Sequence, residues 1–417
     1  MFRVLVLDNL SEEGVALFRQ AGIETDVKPA QKEQELAAII NDYDGLVIRS
    51  ATKVTAAVLE NSTRLKVIGR ACVGTDNVDQ DAATKKGIVV MNTPGGNTIS
   101  TCEHAFALML SLCRNIPHAH RSMEEGRWDR KKFMGTELAG KTLGIIGVGR
   151  IGGAMAKRAK AFEMRVLAYD PILSPLKAES LGVELVGLDA LVSNAAFITV
   201  HATKSDKTLN MIAGAQLKKM KPNCRIINTA RGGIVNEQDL AEALKAKAIG
   251  GAALDVYTSE PFTDNPFIGL ENIIMTPHLA ASTEDAQLTV AVDVARQMID
   301  FLTTGAIVNA VNVPSLDSET RKELEPLLYL GERLGIFQSL FVNGRPKAMK
   351  IEYMGDMGVT DTYPITAAIL CGFLKPMVEA VNMVSAPSQL HDRGVDVSEK
   401  RSAASSSYAF EIGITVI

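Results

Sequence analysis

One segment constrains this chain more than any other: Leu143-Gly-Ile-Ile-Gly-Val-Gly-Arg-Ile-Gly152. Glycines spaced GxGxxG are common by chance, but these follow an apolar run ending at Ile146 and open a helical stretch from Ala154. In that setting each has a task. Gly147 permits a tight turn, Gly149 lets the backbone approach a pyrophosphate, and Gly152 lets helix and strand pack closely. The helix start then offers unpaired N–H groups and a partial positive charge to the phosphates. A second apolar run ends at Asp170. A carboxylate there accepts hydrogen bonds from both ribose hydroxyls of NAD and repels the 2′-phosphate of NADP. A dinucleotide-binding unit with NAD as cofactor is expected; the bland alternative is a glycine-rich turn followed by a loop-capping Asp170-Pro171.

Short apolar runs alternate with helical stretches over much of the chain. Before the fingerprint, residues 4–7, 46–48, 67–68 and 88–90 read as strands, with polar periodic stretches such as 12–20 and 32–41 between them. After it come candidates at 143–146, 166–169, 197–200, 225–228, 251–254 and 273–275. Strands separated by helices pair in parallel, in a sheet covered on both faces. The expected fold class is α/β, with two doubly wound parallel-sheet domains and a partial α+β domain at the C-terminal side. Helical stretches at 102–113 and 286–302 would cross between the first two domains. The first domain is then discontinuous, residues 1–98 with 285–312, and the Rossmann domain spans 99–284. Residues 313–417 form the third, with helices at 322–334 and 365–381 and strands at 349–353 and 409–417. The final Gly-Ile-Thr-Val-Ile reads equally as an edge strand or as the point where a further module is missing.

Composition removes several function classes. A net charge of -4, without a Lys/Arg-rich run, gives no basic field for gathering nucleic acid. No apolar run approaches the roughly 20 residues of a bilayer-spanning helix, and the chain opens directly on a strand pattern, with no signal peptide visible. The five cysteines are odd in number and lack CxxC spacing, the pattern of reduced thiols. The expectation is a cytoplasmic protein with a small-molecule substrate, no nucleic-acid or membrane partner and no metal.

Three chemically distinct residues recur just after apolar strands of the second domain. Arg231 follows residues 225–230, Glu260 follows 252–256 and His278 follows 273–277. Strand carboxyl ends line the ligand crevice of an open parallel sheet. A histidine takes the proton of a hydroxyl while hydride leaves the same carbon. A carboxylate beside it holds the imidazole and favours the imidazolium needed in reverse. An arginine grips a substrate carboxylate and polarises the adjacent carbonyl. Singly, each has a bland alternative: a surface ion pair, a solvated loop, a satisfied core histidine.

Together these stretches resemble the D-isomer-specific 2-hydroxyacid dehydrogenases. Val148-Gly-Arg-Ile-Gly, Asn228-Thr-Ala-Arg-Gly-Gly-Ile-Val, Ala253-Leu-Asp-Val, Ser259-Glu-Pro and Pro277-His-Leu are similar to that family at its spacings. The resemblance implies NAD-dependent hydride transfer with His278 as acid–base, Glu260 as its partner and Arg231 orienting the substrate. It puts Asp255 at the nicotinamide amide, adds Arg150, Ile151 and Ala230 to the cofactor site, and implies a homodimer or homotetramer built through the cofactor domain.

Within the family, the segments starting at Arg49, Gly69, Asn92 and Trp128 are similar to those of members acting on 3-phosphoglycerate. That likeness implies oxidation of 3-phospho-D-glycerate to 3-phosphohydroxypyruvate, the first step of L-serine biosynthesis, with Arg49, Arg70, Val73, Gly74, Asn97 and Arg130 at the substrate. Two guanidiniums at strand ends suit a phosphate; the alternatives are an ion pair for Arg49 and Arg70 and a solvated charge run for Arg130. Residues 311–417 resemble the intervening module of the longer members, through Ile365-Thr-Ala-Ala, Val381-Asn, Ala386-Pro and Arg393-Gly. The longest members add a regulatory domain after it; this chain is expected to lack one and, with it, serine feedback. A glyoxylate or hydroxypyruvate reductase and an NADH-binding corepressor-like protein stand as alternatives. Two departures from the family pattern are Cys72, expected to tighten the substrate pocket, and Thr203 in place of a usual proline.

Overall fold

In a computed structural model the chain forms two compact units, residues 1–96 with 288–417, and residues 97–287. All residues are described except 61, 343–344, 357, 359–360, 379–380 and 403–407. Among the described residues no helix is long and apolar enough to cross a membrane.

The first unit opens with five parallel strands, β1 (Arg3–Val6), β2 (Glu24–Val27), β3 (Gly45–Ile48), β4 (Val67–Arg70) and β5 (Val89–Asn92), in the order β2-β1-β3-β4-β5. Side chains alternate across the pleat. Val4, Val6, Val47, Val67, Val89 and Met91 therefore pack on one face against Val290, Val294 and Met298 of the helix Glu284–Thr304. Leu5, Leu7, Leu46, Ile48, Ile68 and Val90 fill the other face. The sequence runs correspond to β1, β3, β4 and β5, shifted by a residue or two. β2 is the strand they miss: Glu-Thr-Asp-Val lies at the sheet edge with no buried residue, so it carries no apolar run.

The rest of this unit is a small mixed sheet, β13 (Ala348–Gly355) flanked by parallel β14 (Asp396–Ser402) and antiparallel β15 (Phe410–Val416). The helices Ser318–Phe341 and Tyr363–Leu374 pack with it around Ile351, Tyr353, Ile365, Ile369 and Phe373. The second helix stops at Leu374, short of the expected 381. Residues 313–417, expected as a domain of their own, lie in one compact unit with residues 1–96. Asn382 Nδ2 donates to the Gly87 carbonyl at 2.8 Å, and Val384 joins the apolar cluster of the first sheet.

The second unit is a seven-stranded parallel sheet: β6 (Thr142–Ile146), β7 (Arg165–Tyr169), β8 (Glu184–Leu185), β9 (Phe197–Val200), β10 (Arg225–Asn228), β11 (Gly251–Leu254) and β12 (Ile273–Met275). Its order is β12-β11-β10-β9-β6-β7-β8. The chain runs outward from β6 through β8, then returns to the other side of β6 at β9. That reversal is the topological switch point, where ligands sit beyond the carboxyl ends of the strands. Six strands are those read from the sequence; β8 is a short exposed edge. One face packs on Cys102, Ala105 and Met109 of the helix Thr98–Arg114 and on Met155 and Ala159 of the helix Arg150–Ala161.

The two longest helices of the C-terminal part cross at glycine. A Cβ added at Gly335 would lie 2.0 Å from the Ile369 carbonyl oxygen, and one at Gly372 would lie 2.0 Å from that of Glu332. Gly335→Val must push the helices apart, at a cost of about 1–3 kcal/mol by the usual range for overpacking. Urea titration of the variant should show that loss while NAD affinity, which belongs to the other unit, stays unchanged; an unaltered midpoint would mean the crossing has room to spare.

Candidate active site

The glycine fingerprint builds a cradle for a pyrophosphate. Gly147 turns the chain with φ +85°, and a Cβ there would strike the His201–Ala202 backbone. At Gly152 a Cβ would lie 2.1 Å from the Gly147 carbonyl oxygen, so only glycine lets the helix Arg150–Ala161 approach β6 this closely. At Gly149, which caps that helix, nothing lies within 4 Å of the added Cβ. The middle glycine thus faces open space at a helix N-terminus whose next residues are Arg150 and Ile151. Asp170 follows β7; its oxygens accept from Val148 N at 2.8 Å and Ile172 N at 3.0 Å. A carboxylate has about four acceptor positions, so capacity remains for ribose hydroxyls. The residues present fit a dinucleotide.

Beyond β11 and β12 the acid–base pair is formed. His278 Nδ1 and Glu260 Oε2 lie 2.7 Å apart, and the other Glu260 oxygen accepts from Tyr257 N at 3.0 Å. With Nδ1–H directed at the carboxylate, the lone pair is left on Nε2. The His278 and Glu260 side chains are 46% and 37% exposed, so this is no core histidine. His278 has φ +54°, a left-handed conformation few non-glycine residues adopt. Its N–H donates to the Asp255 and Thr276 carbonyls at 2.9 and 3.1 Å.

Asp255, expected at the nicotinamide amide, is fully enclosed, and both its oxygens are committed to the loop carrying His278. Oδ1 accepts from Thr276 Oγ1 at 2.5 Å and Leu279 N at 2.8 Å; Oδ2 accepts from Ala280 N at 2.9 Å. His104 Nε2 approaches Oδ1 at 3.2 Å. Burial pushes the Asp255 carboxyl up, but the hydrogen bonds from His104, Thr276, Leu279 and Ala280 outweigh it and hold the group below its ordinary value.

Arg231 projects from a turn templated by the buried Asn228. Its side-chain oxygen accepts from Ala230 N at 3.1 Å, and its Nδ2 donates to the Arg231 carbonyl at 3.0 Å. Gly232 is required next, because a Cβ there would overlap the Tyr257 carbonyl. Asn228, Tyr257, Thr276 and His104 make hydrogen bonds around these residues that sequence reasoning missed; a polar residue within an apolar strand was the available signal for Asn228.

In the first unit, Arg70 closes β4 and Arg49 follows β3, one residue beyond the Ile48–Arg70 pairing. Arg70 Nε donates to Asn77 Oδ1 at 3.2 Å, and Asn77 Nδ2 donates in turn to the Arg49 carbonyl. Among the described residues no carboxylate forms an ion pair with either guanidinium, so the ion pair weighed for them is not made. Val73, Gly74 and Cys72 share the partly exposed loop after β4, where Asn92 Nδ2 donates to the Val73 carbonyl at 2.5 Å. Asn97, the residue before the helix Thr98–Arg114, is buried with an amide oxygen lacking a partner among the described residues. Arg130 is exposed.

Residues 106–280 match the family model described as "D-isomer specific 2-hydroxyacid dehydrogenase, NAD binding domain", and residues 323–417 match "D-3-phosphoglycerate dehydrogenase intervening domain". A D-3-phosphoglycerate dehydrogenase of Archaeoglobus fulgidus is 45% identical over 96% of this chain and 76% of its own. The chain belongs to the D-isomer-specific 2-hydroxyacid dehydrogenase family. Another D-3-phosphoglycerate dehydrogenase, of Synechocystis, is 44% identical over 98% of this chain and 74% of its own. Among solved structures, the NAD complex of an NAD-dependent formate dehydrogenase from Staphylococcus aureus superposes with a TM-score of 0.66, at 30% identity, over 75% of this chain and 99% of that one. Like its family, the chain is an NAD-dependent oxidoreductase.

His201, at the end of β9, carries a pH liability. Part of the residue is accessible, but Nδ1 is buried without a partner among the described residues, while Nε2 lies 2.9 Å from Thr199 Oγ1. Burial pushes the imidazole down to about 3 from 6.5. Unfolding therefore takes up a proton in that window: the stabilisation is complete above pH 6.5 and declines as pH falls toward 3, by up to about 1.4 kcal/mol per pH unit. His201→Asn should flatten the loss of stability between pH 7 and pH 5 in urea titrations. Equal losses in both proteins would show that the ring is not held neutral.

Proposed function

We propose that this chain oxidises the 2-hydroxyl of 3-phospho-D-glycerate, yielding 3-phosphohydroxypyruvate on the route to L-serine. The observation that supports it most is the His278–Glu260 pair, with Nε2 left as a base, in the unit that also builds the dinucleotide cradle. NAD bound in that cradle supplies the hydride acceptor. His278 Nε2 removes the hydroxyl proton, and the resulting imidazolium is balanced by Glu260 at Nδ1. Arg231 receives the substrate carboxylate and polarises the forming carbonyl. The buried, unpartnered oxygen of Asn97 is a further polar position for the substrate.

Arg49 and Arg70 receive the phosphate. Guanidiniums on neighbouring strand ends, with no carboxylate partner among the described residues, are the chemistry a dianion needs, and more than glyoxylate or hydroxypyruvate requires. Residues 1–98 with 285–312 act as the substrate domain, 99–284 as the NAD domain and 313–417 as an intervening module. The protein works as a homodimer or homotetramer in the cytoplasm, with Arg130 on an exposed segment serving the substrate phosphate.

Purified protein with NAD and 3-phosphoglycerate should form NADH. His278→Ala should lower kcat by about 10²–10⁴-fold, the range for removing a general base, with NAD affinity retained. Arg49→Ala should chiefly raise KM for 3-phosphoglycerate. NAD binding without turnover of 3-phosphoglycerate would sink the assignment.

A further inference from the structure

His104 lies on the helix Thr98–Arg114, a turn and a half past its start, and is 21% exposed. Its Nε2 faces two atoms at once, Asp255 Oδ1 at 3.2 Å and Thr276 Oγ1 at 3.2 Å. The single hydroxyl proton of Thr276 is already donated to Asp255 Oδ1. Both atoms in front of Nε2 are therefore acceptors, which fixes the hydrogen of a neutral His104 on Nε2. Of the groups that donate to the Asp255 carboxylate among the described residues, Thr276, Leu279 and Ala280 come from the loop that carries His278, and His104 comes from another element.

We propose that His104 is a positioning residue for the hydride-transfer reaction: its Nε2–H ties the helix Thr98–Arg114 to Asp255 and Thr276, and through them sets the placement of His278. The inference rests on His278 being the acid–base. Asp255 holds His278 from both sides, accepting its N–H with the main-chain carbonyl while the carboxylate gathers the two amides after it. His278 is in a left-handed conformation, a state that persists only where the surroundings over-determine it. A buried carboxylate that loses a donor carries a desolvation penalty that movement of its remaining donors relieves. Here the loop is what it would pull on, and His278 Nε2 would shift relative to the hydroxyl it deprotonates. Misplacement of a reacting group by an ångström costs about 10²-fold in rate. Ground-state binding of NAD and substrate depends on other residues and is spared.

The test compares His104→Phe and His104→Gln with wild type, measuring kcat, KM for 3-phosphoglycerate and NAD affinity by titration. The Gln side-chain nitrogen occupies the place of His Nε2 and keeps a donor. His104→Phe should lose about 10- to 100-fold in kcat with KM and NAD affinity within about threefold, and His104→Gln should recover most of the loss. Wild-type kcat in His104→Phe overturns the proposal; so does an equal defect in both variants accompanied by raised KM and weakened NAD binding, the mark of general packing. Should His104→Phe fail to fold, His104→Asn, too short to reach Oδ1, takes its place with the same outcomes. A His278→Ala control that retains full kcat would instead bring down the acid–base assignment, whatever His104 does.

Discussion

A carboxylate enclosed by protein has to be surrounded by donors, because burying an unpaired charge costs several kcal/mol. At Asp255 most of those donors belong to the backbone and side chains of residues 276–280. Solvation of one buried group and placement of the acid–base histidine are therefore the same set of bonds. Tyr257 extends the arrangement. Its one hydroxyl proton is shared between the Leu254 and Thr276 carbonyls, at 3.1 and 2.9 Å, while its N–H holds Glu260. Both partners of the His278–Glu260 pair are thus set from residues that follow β11.

A second constraint acts at the other end of the site. The close approach of Gly152 to Gly147 brings the helix Arg150–Ala161 onto β6, and that contact fixes where the helix N-terminus points. Hydrogen-bond register between β6, β9, β10 and β11 then puts the ends of these strands at one edge of the sheet. Arg231 and Asp255 follow β10 and β11 on that edge. Their shared location results from strand pairing, with no direct bond between them required.

This explains which parts were legible in the sequence. Central strands are buried on both faces and read as continuous apolar runs, so β6, β9, β10 and β11 were located within a residue. Three edge strands, β2, β8 and β14, are exposed or half-buried and carry Glu-Thr-Asp-Val, Glu-Leu and Asp-Val-Ser-Glu-Lys-Arg-Ser, patterns that resemble loops. The opposite edges β5, β12 and β15 keep apolar residues and were read. The cradle glycines were legible because their backbone demands are local. Asp255 was identified as a site residue but not its bonding, since whether a carboxylate meets ligand or protein depends on distant donors such as His104. His104 itself follows Glu103 in a helix of mixed polar and apolar residues, with nothing nearby in sequence to name its partners.

The energetics separate chemistry from stability. An exposed ion pair such as His278–Glu260 contributes about 0–1 kcal/mol to folding. A left-handed histidine and a buried carboxylate each cost more than that unless well compensated. A chain optimised for stability alone would replace the carboxylate with an apolar residue and relax the backbone at His278. The sequence instead keeps a charged residue with four surrounding donors behind a partly exposed imidazole. That expenditure makes sense where the gain is rate: an imidazole held in one orientation, with Nε2 open to substrate, meets its proton without reorganising.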